Sequence, residues 1–227
     1  MFTRILTSAL IAGAAAGLIA AVLQLVFLQP VLLHAELYET GARVHFGGEQ
    51  NPASHPPFAF DALRDGLSII FSMLIYAGYG LILVALMSLA EDSGAVIDAR
   101  KGLFWGIAGF VAVQLAPGFS LAPEVPGVAA ADVTARQIWW FATVAASGLA
   151  LWLFAFARSA VLWAVAVVLL LAPHVIGAPE PQTFAGPVPT ELGALYAARV
   201  FGVGLAAWSL LGLFAGALWS SAEDATP

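Results

Sequence analysis

Between Arg4 and His34 the chain runs 29 residues without a charged side chain. A helix needs about 20 apolar residues to cross the hydrocarbon core of a bilayer, so this stretch is long enough to span. In water it would have nowhere to bury its surface. Six windows have this character, at residues 5–28, 67–90, 102–121, 138–156, 161–176 and 195–219. Hydrophobic residues make up 61% of the chain and charged residues 10%, against about a quarter charged in soluble domains. These features predict an all-α, polytopic transmembrane helical bundle of six spans, or five if the short window 161–176 does not cross. The longest segment without a span, 35–65, is too small and too rich in Gly, Pro and His to form a core. Residues 1–227 therefore read as a single integral-membrane domain. The first apolar run also outlasts the short core of a signal peptide, which predicts that it is retained.

Several function classes fall away on composition. A net charge of −6 with only 8 Lys and Arg does not suit nucleic acid, whose phosphates require clustered cations. Without cysteine there is no disulfide, thiolate metal site or Cys nucleophile. No phosphate loop, H-E-x-x-H or G-x-S-x-G pattern occurs, which argues against an ATPase and against an enzyme.

With six spans both termini share one side. Arg4, Arg100, Lys101 and Arg158 fall there, and Arg43, Arg64, Arg136 and Arg199 fall on the other. The first group sits in short connections beside span ends, which places the N-terminus in the cytoplasm by the positive-inside rule. Parity alone puts all four histidines, His34, His45, His55 and His174, on the opposite face with nine of the fourteen acids.

Two segments align without a gap: Leu115-Ala-Pro-Gly-Phe-Ser-Leu-Ala-Pro-Glu124 and Leu171-Ala-Pro-His-Val-Ile-Gly-Ala-Pro-Glu180. With Pro30 they suggest a threefold repeat of helical hairpins in which spans one, three and five stop at Pro30, Pro117 and Pro173. Each of these spans carries small residues four apart, at Gly13/Gly17, Gly102/Gly106 and Ala160/Ala164, and Gly212/Gly216 adds a fourth pair. Such pairs let helix backbones approach closely in lipid. The arginines leading into the even spans, Arg64, Arg136 and Arg199, read as anchors or as partners of the nearby Asp61, Asp132 and Glu191.

Where the first span ends, His34, Glu36 and Glu39 follow within six residues. On a regular helix Glu36 and Glu39 share a face while His34 points about 200° away from Glu36. A shared ion therefore calls for donors from several helix ends, with His174 and Glu180 the natural partners. Imidazole and carboxylate without thiolate suit Co²⁺, Ni²⁺ or Zn²⁺, and three methionines are too few for Cu(I). Gln24, Gln29 and Gln114 supply neutral polar groups at membrane depth near Pro30 and Pro117, a candidate inward pathway. No acid lies inside a span as a proton relay, so the driving force would be the membrane potential or a partner.

The N-terminal pattern Gly13-Ala-Ala-Ala-Gly17-Leu, Leu-Gln-Leu-Val-Phe-Leu-Gln-Pro30 and His34-Ala-Glu-Leu-Tyr-Glu39 resembles the CbtA-type proteins, proposed cobalt transporter subunits of bacterial inner membranes. That resemblance implies about five spans and a role in cobalt uptake for cobalamin synthesis. It also implies a small single-span partner of the CbtB kind that bears histidines. His34, Glu36 and Glu39 are then the candidate metal ligands, joined by His174 and Glu180 from the repeat. The expectation is a permease subunit in the bilayer that holds no permanent cofactor and takes Co²⁺ or Ni²⁺ as cargo, with self-association into an oligomer left open. The alternative is a non-transporting scaffold or regulatory subunit that recruits other proteins.

Overall fold

The computed structural model describes residues 2–45 and 60–224. Six helices follow in chain order: α1 Phe2–Glu39, α2 Ala62–Asp92, α3 Ala99–Ser120, α4 Val133–Phe156, α5 Ala160–Ile176 and α6 Thr190–Asp224. Five are long and apolar enough to cross a membrane. The sixth, α5, has 17 residues, about 26 Å at about 1.5 Å per residue, short of a hydrocarbon core of about 30 Å. No strand occurs among the described residues. The helical membrane bundle read from hydropathy is the fold.

Starts and stops follow local chemistry. Asp61, Asp98 and Asp132 cap α2, α3 and α4 by accepting from the backbone N–H of Arg64 (2.7 Å), Lys101 (2.8 Å) and Ala135 (2.9 Å). Each carboxylate satisfies one of the orphan donors of a first turn.

The prolines, however, do not end their helices. α1 continues past Pro30 to Glu39, α3 past Pro117 to Ser120, and α5 past Pro173 to Ile176. In α1 a π turn at Gln24–Leu28 precedes Pro30, and in α3 a π turn at Val111–Leu115 precedes Pro117 at the same offset. A proline ring collides with the carbonyl four residues earlier. The extra residue of a π turn swings that carbonyl aside, so the helix resumes instead of stopping. α5 has no such turn, and Pro173 lies in its last turn.

Residue contacts divide the chain into two compact units. The first holds residues 1–26, 59–110 and 202–227; the second holds 27–58 and 111–201. In the first unit Gly13 and Gly17 lie against the α2 backbone. A Cβ on Gly13 would stand 2.4 Å from Ala77 Cα, and one on Gly17 would stand 2.6 Å from Met73 Cα. Gly102, Gly106, Gly212 and Gly216 interleave α3 with α6, where a Cβ on Gly106 would meet the Trp208 carbonyl at 2.1 Å. At one end of this unit the Arg4 guanidinium stacks on the Trp219 ring at 3.9 Å, donates to the Trp219 carbonyl at 2.7 Å, and pairs with Glu91 at 3.7 Å.

Ala160 and Ala164, expected to be a close-packing pair, are both exposed. In the second unit α5 packs on α4 and buries only Ala166 and Pro173. α4 is the main neighbour of α5, which therefore presents one packed face.

Replacing Gly106 with Val should lower unfolding stability by about 3 kcal/mol, the upper range for overpacking, with Gly78→Ala as the control because nothing lies within 4 Å of Gly78. Thermal unfolding in detergent measures both, and equal midpoints would contradict the helix contact.

Candidate functional site

Beyond Pro30 the α-helical register resumes, and it decides which side chains turn inward. Val31, His34, Ala35 and Tyr38 recur at spacings of three and four, one helix face, and all four are buried. Val31, Ala35 and Tyr38 pack on Val125, Val188 and Leu192, with Val128, Leu195 and Tyr196 alongside. Glu36 and Glu39 fall on the exposed side. The separation of His34 from the two carboxylates expected of a regular helix is thus present, because the backbone beyond Pro30 is regular.

His34 is 2% exposed, and its Nε2 meets the Arg43 guanidinium. Guanidinium only donates, so Nε2 accepts and the ring proton sits on Nδ1. The His34 ring lies 5.6 Å from Tyr38, and His45 meets Tyr38 edge-on at 6.5 Å. Glu39 runs against Gly127, where a Cβ would stand 3.0 Å from the Glu39 Cβ. Gly127 has φ +83°, so both backbone and space call for glycine there.

His174 occupies the last turn of α5. Ser120 Oγ lies 2.8 Å from its Nδ1, Phe119 meets its ring edge-on at 5.3 Å, and Trp139 stands at 6.1 Å. Trp139 Nε1–H donates to the Pro173 carbonyl at 3.3 Å. Glu180 is exposed in the segment after α5. His34, Glu36, Glu39, His174 and Glu180 all belong to the second unit. Among the described residues no three His, Asp or Glu side chains form a group able to hold a metal ion. His55 and Glu49 lie outside the described residues.

Of the pathway candidates, Gln24 accepts from the Ser72 hydroxyl at 3.0 Å. Gln29 and Pro30 are half-buried, whereas Pro117 and Pro173 are buried. Gln114 Oε1 is buried without a hydrogen-bond partner among the described residues.

The arginines take partners other than those expected. Arg64 forms its ion pair with Asp65 at 2.7 Å, Arg136 pairs with Glu124 at 2.9 Å, and Arg199 donates to the Phe27 carbonyl at 2.9 Å. Asp61 and Asp132 are occupied as helix caps, and Glu191 accepts from the Thr190 hydroxyl at 3.3 Å. Capping claims a carboxylate just ahead of a helix before an arginine a turn later reaches it.

Arg43, Ser120 and Trp139 were not singled out from sequence as neighbours of the two imidazoles. The gapless alignment of the Leu-Ala-Pro segments pairs His174 with Gly118, so it does not mark Ser120. Nothing in the pattern marks Arg43.

The sequence profile described as "Probable cobalt transporter subunit (CbtA)" matches residues 2–220. The chain belongs to the CbtA family. No curated protein and no solved structure matches it. CbtA membership supports the role of a cobalt transporter subunit, and the word subunit implies partner proteins. The apolar helices support a place in a membrane.

Since the chain has no cysteine, single cysteines report exposure without background. Glu36→Cys and Glu39→Cys should react with a membrane-impermeant maleimide at least about tenfold faster than His34→Cys, reflecting exposed against buried positions. Equal rates would contradict the register of α1.

Proposed function

We propose that this CbtA-family protein is the membrane-spanning permease subunit of a divalent-metal importer whose cargo is cobalt destined for cobalamin synthesis. It sits in a bacterial inner membrane with its N-terminus in the cytoplasm. A small single-span, histidine-bearing protein of the CbtB kind serves as its partner. The observation that carries this reading is the family match over residues 2–220, and the donor chemistry agrees with it. Imidazole with carboxylate and no thiolate suits Co²⁺ or Ni²⁺ over Cu(I).

In this reading the ion is captured at His34, Glu36, Glu39, His174 and Glu180 a few donors at a time, not in a closed cage. An ion that must leave again needs binding that is favourable but weak. The exposed Glu36 and Glu39 attract the hydrated cation by charge. His34 supplies an imidazole when Arg43 yields, and His174 does so when its ring turns from Ser120. Gln29, Gln114 and backbone carbonyls near Pro30 and Pro117 then replace water along the second unit, and Gln24 does so in the first.

Radioactive cobalt uptake by cells lacking other importers tests the proposal, with the protein and its partner expressed together. Wild type should accumulate cobalt, and the pair His34→Ala with His174→Ala should lower uptake about tenfold, the order seen on losing a supporting metal contact. Uptake equal to that of cells without the protein would remove the permease reading in favour of a scaffold.

A further inference from the structure

The buried face of α4 presents Trp139, Thr143, Ser147 and Ala150, an apolar helix's one polar stripe. It belongs to the second unit and packs on α5 and on the π turn and last turn of α3. Thr143 and Ser147 are both 0% exposed. The Thr143 hydroxyl donates back to the Trp139 carbonyl at 2.8 Å, the usual way for a hydroxyl to be satisfied in a helix. Ser147 does not do the same. Its Oγ has no partner among the described residues, and neither has Gln114 Oε1 in the π turn of α3.

Register brings these two orphans to a common depth. Ser120 and Trp139 both meet His174, so they mark one level. Going inward from there at about 1.5 Å per residue, Gln114 lies about 9 Å deep, Thr143 about 6 Å and Ser147 about 12 Å. The Gln114 amide therefore comes level with the gap between the two hydroxyls. Pro117, which is fully buried, brings no N–H to the carbonyls of the preceding turn.

We propose that the Gln114 amide, the Ser147 and Thr143 hydroxyls and the π-turn carbonyls form a binding site for a monovalent alkali cation, Na⁺, at the α3–α4 contact. Buried polar groups in lipid demand a partner, and lone pairs from an amide, hydroxyls and carbonyls at a helix break are what Na⁺ takes in membrane transporters. These side chains include no carboxylate, so a divalent ion passing Gln114 is not held there, since lasting divalent sites draw on carboxylate ligands. The site therefore differs in kind from the imidazole and carboxylate donors at His34, Glu39 and His174. If the chain moves cobalt as proposed above, inward movement of Na⁺ supplies a driving force; that link rests on the transport reading, whereas the binding does not.

The test uses the full-length protein in lipid nanodiscs without cobalt, titrated with radioactive Na⁺ against choline at constant ionic strength. Wild type should bind Na⁺ saturably, and Ser147→Ala and Gln114→Leu should each weaken binding at least tenfold. The exposed Ser68→Ala should leave it unchanged. Circular dichroism checks that each variant folds, and if Ser147→Ala does not, Gln114→Leu decides. Absence of saturable Na⁺ binding in wild type, as for a pocket that holds only water, or unchanged binding in both folded variants, would overturn the site. Na⁺ binding by a protein that takes up no cobalt would refute the permease reading and leave this site standing.

Discussion

A peptide group in lipid has no water to fall back on, so each proline inside a span leaves a carbonyl that must be satisfied by other means. The chain meets this twice with the same device, a π turn followed directly by X-Pro, in α1 and again in α3. In α1 the Phe27 carbonyl within the turn accepts from Arg199. Because the helix resumes as α-helix, everything beyond Pro30 is phased by it. Val31, His34, Ala35 and Tyr38 turn inward while Glu36 and Glu39 turn outward. Had α1 ended at Pro30, the register that buries one imidazole and exposes two carboxylates would not exist.

The two units use different chemistry. The first is held by backbone-to-backbone approach at glycine, with Gly102 and Gly106 fitted against Gly212 and Gly216. Where lipid removes any hydrophobic drive between helices, such contact is the main source of cohesion. The second holds the ligand-type side chains His34, Glu36, Glu39, His174 and Glu180 together with Gln114 and Ser147. Its local packing at Val31, Tyr38, Val125 and Leu192 holds the segment that bears the candidate ligands.

Much of the fold was legible because hydropathy and small-residue spacing act locally. The spans and the weakness of the window at 161–176 follow from residues near in sequence. The helix stops at Pro30, Pro117 and Pro173 were misread because a π turn leaves no composition signal; Gln24–Leu28 and Val111–Leu115 look like any apolar stretch. Charge partners were misassigned for a related reason: proximity in sequence favoured Asp61, Asp132 and Glu191, whereas caps and tertiary packing gave Arg64, Arg136 and Arg199 to other acceptors. Of the site, residue types and their common side could be read. The positions of Arg43 against His34 and Ser120 against His174 could not, because they depend on how loops and helix ends return.

We propose loose capture by candidate donors that share one unit and hand an ion on more readily than they keep it. X-ray absorption spectroscopy of the cobalt-loaded protein in nanodiscs examines that directly through the shell around the metal. A six-coordinate ion still bound mostly to water, with one or two imidazole nitrogens, is the result expected. A water-free shell built from three or more protein ligands would contradict the account.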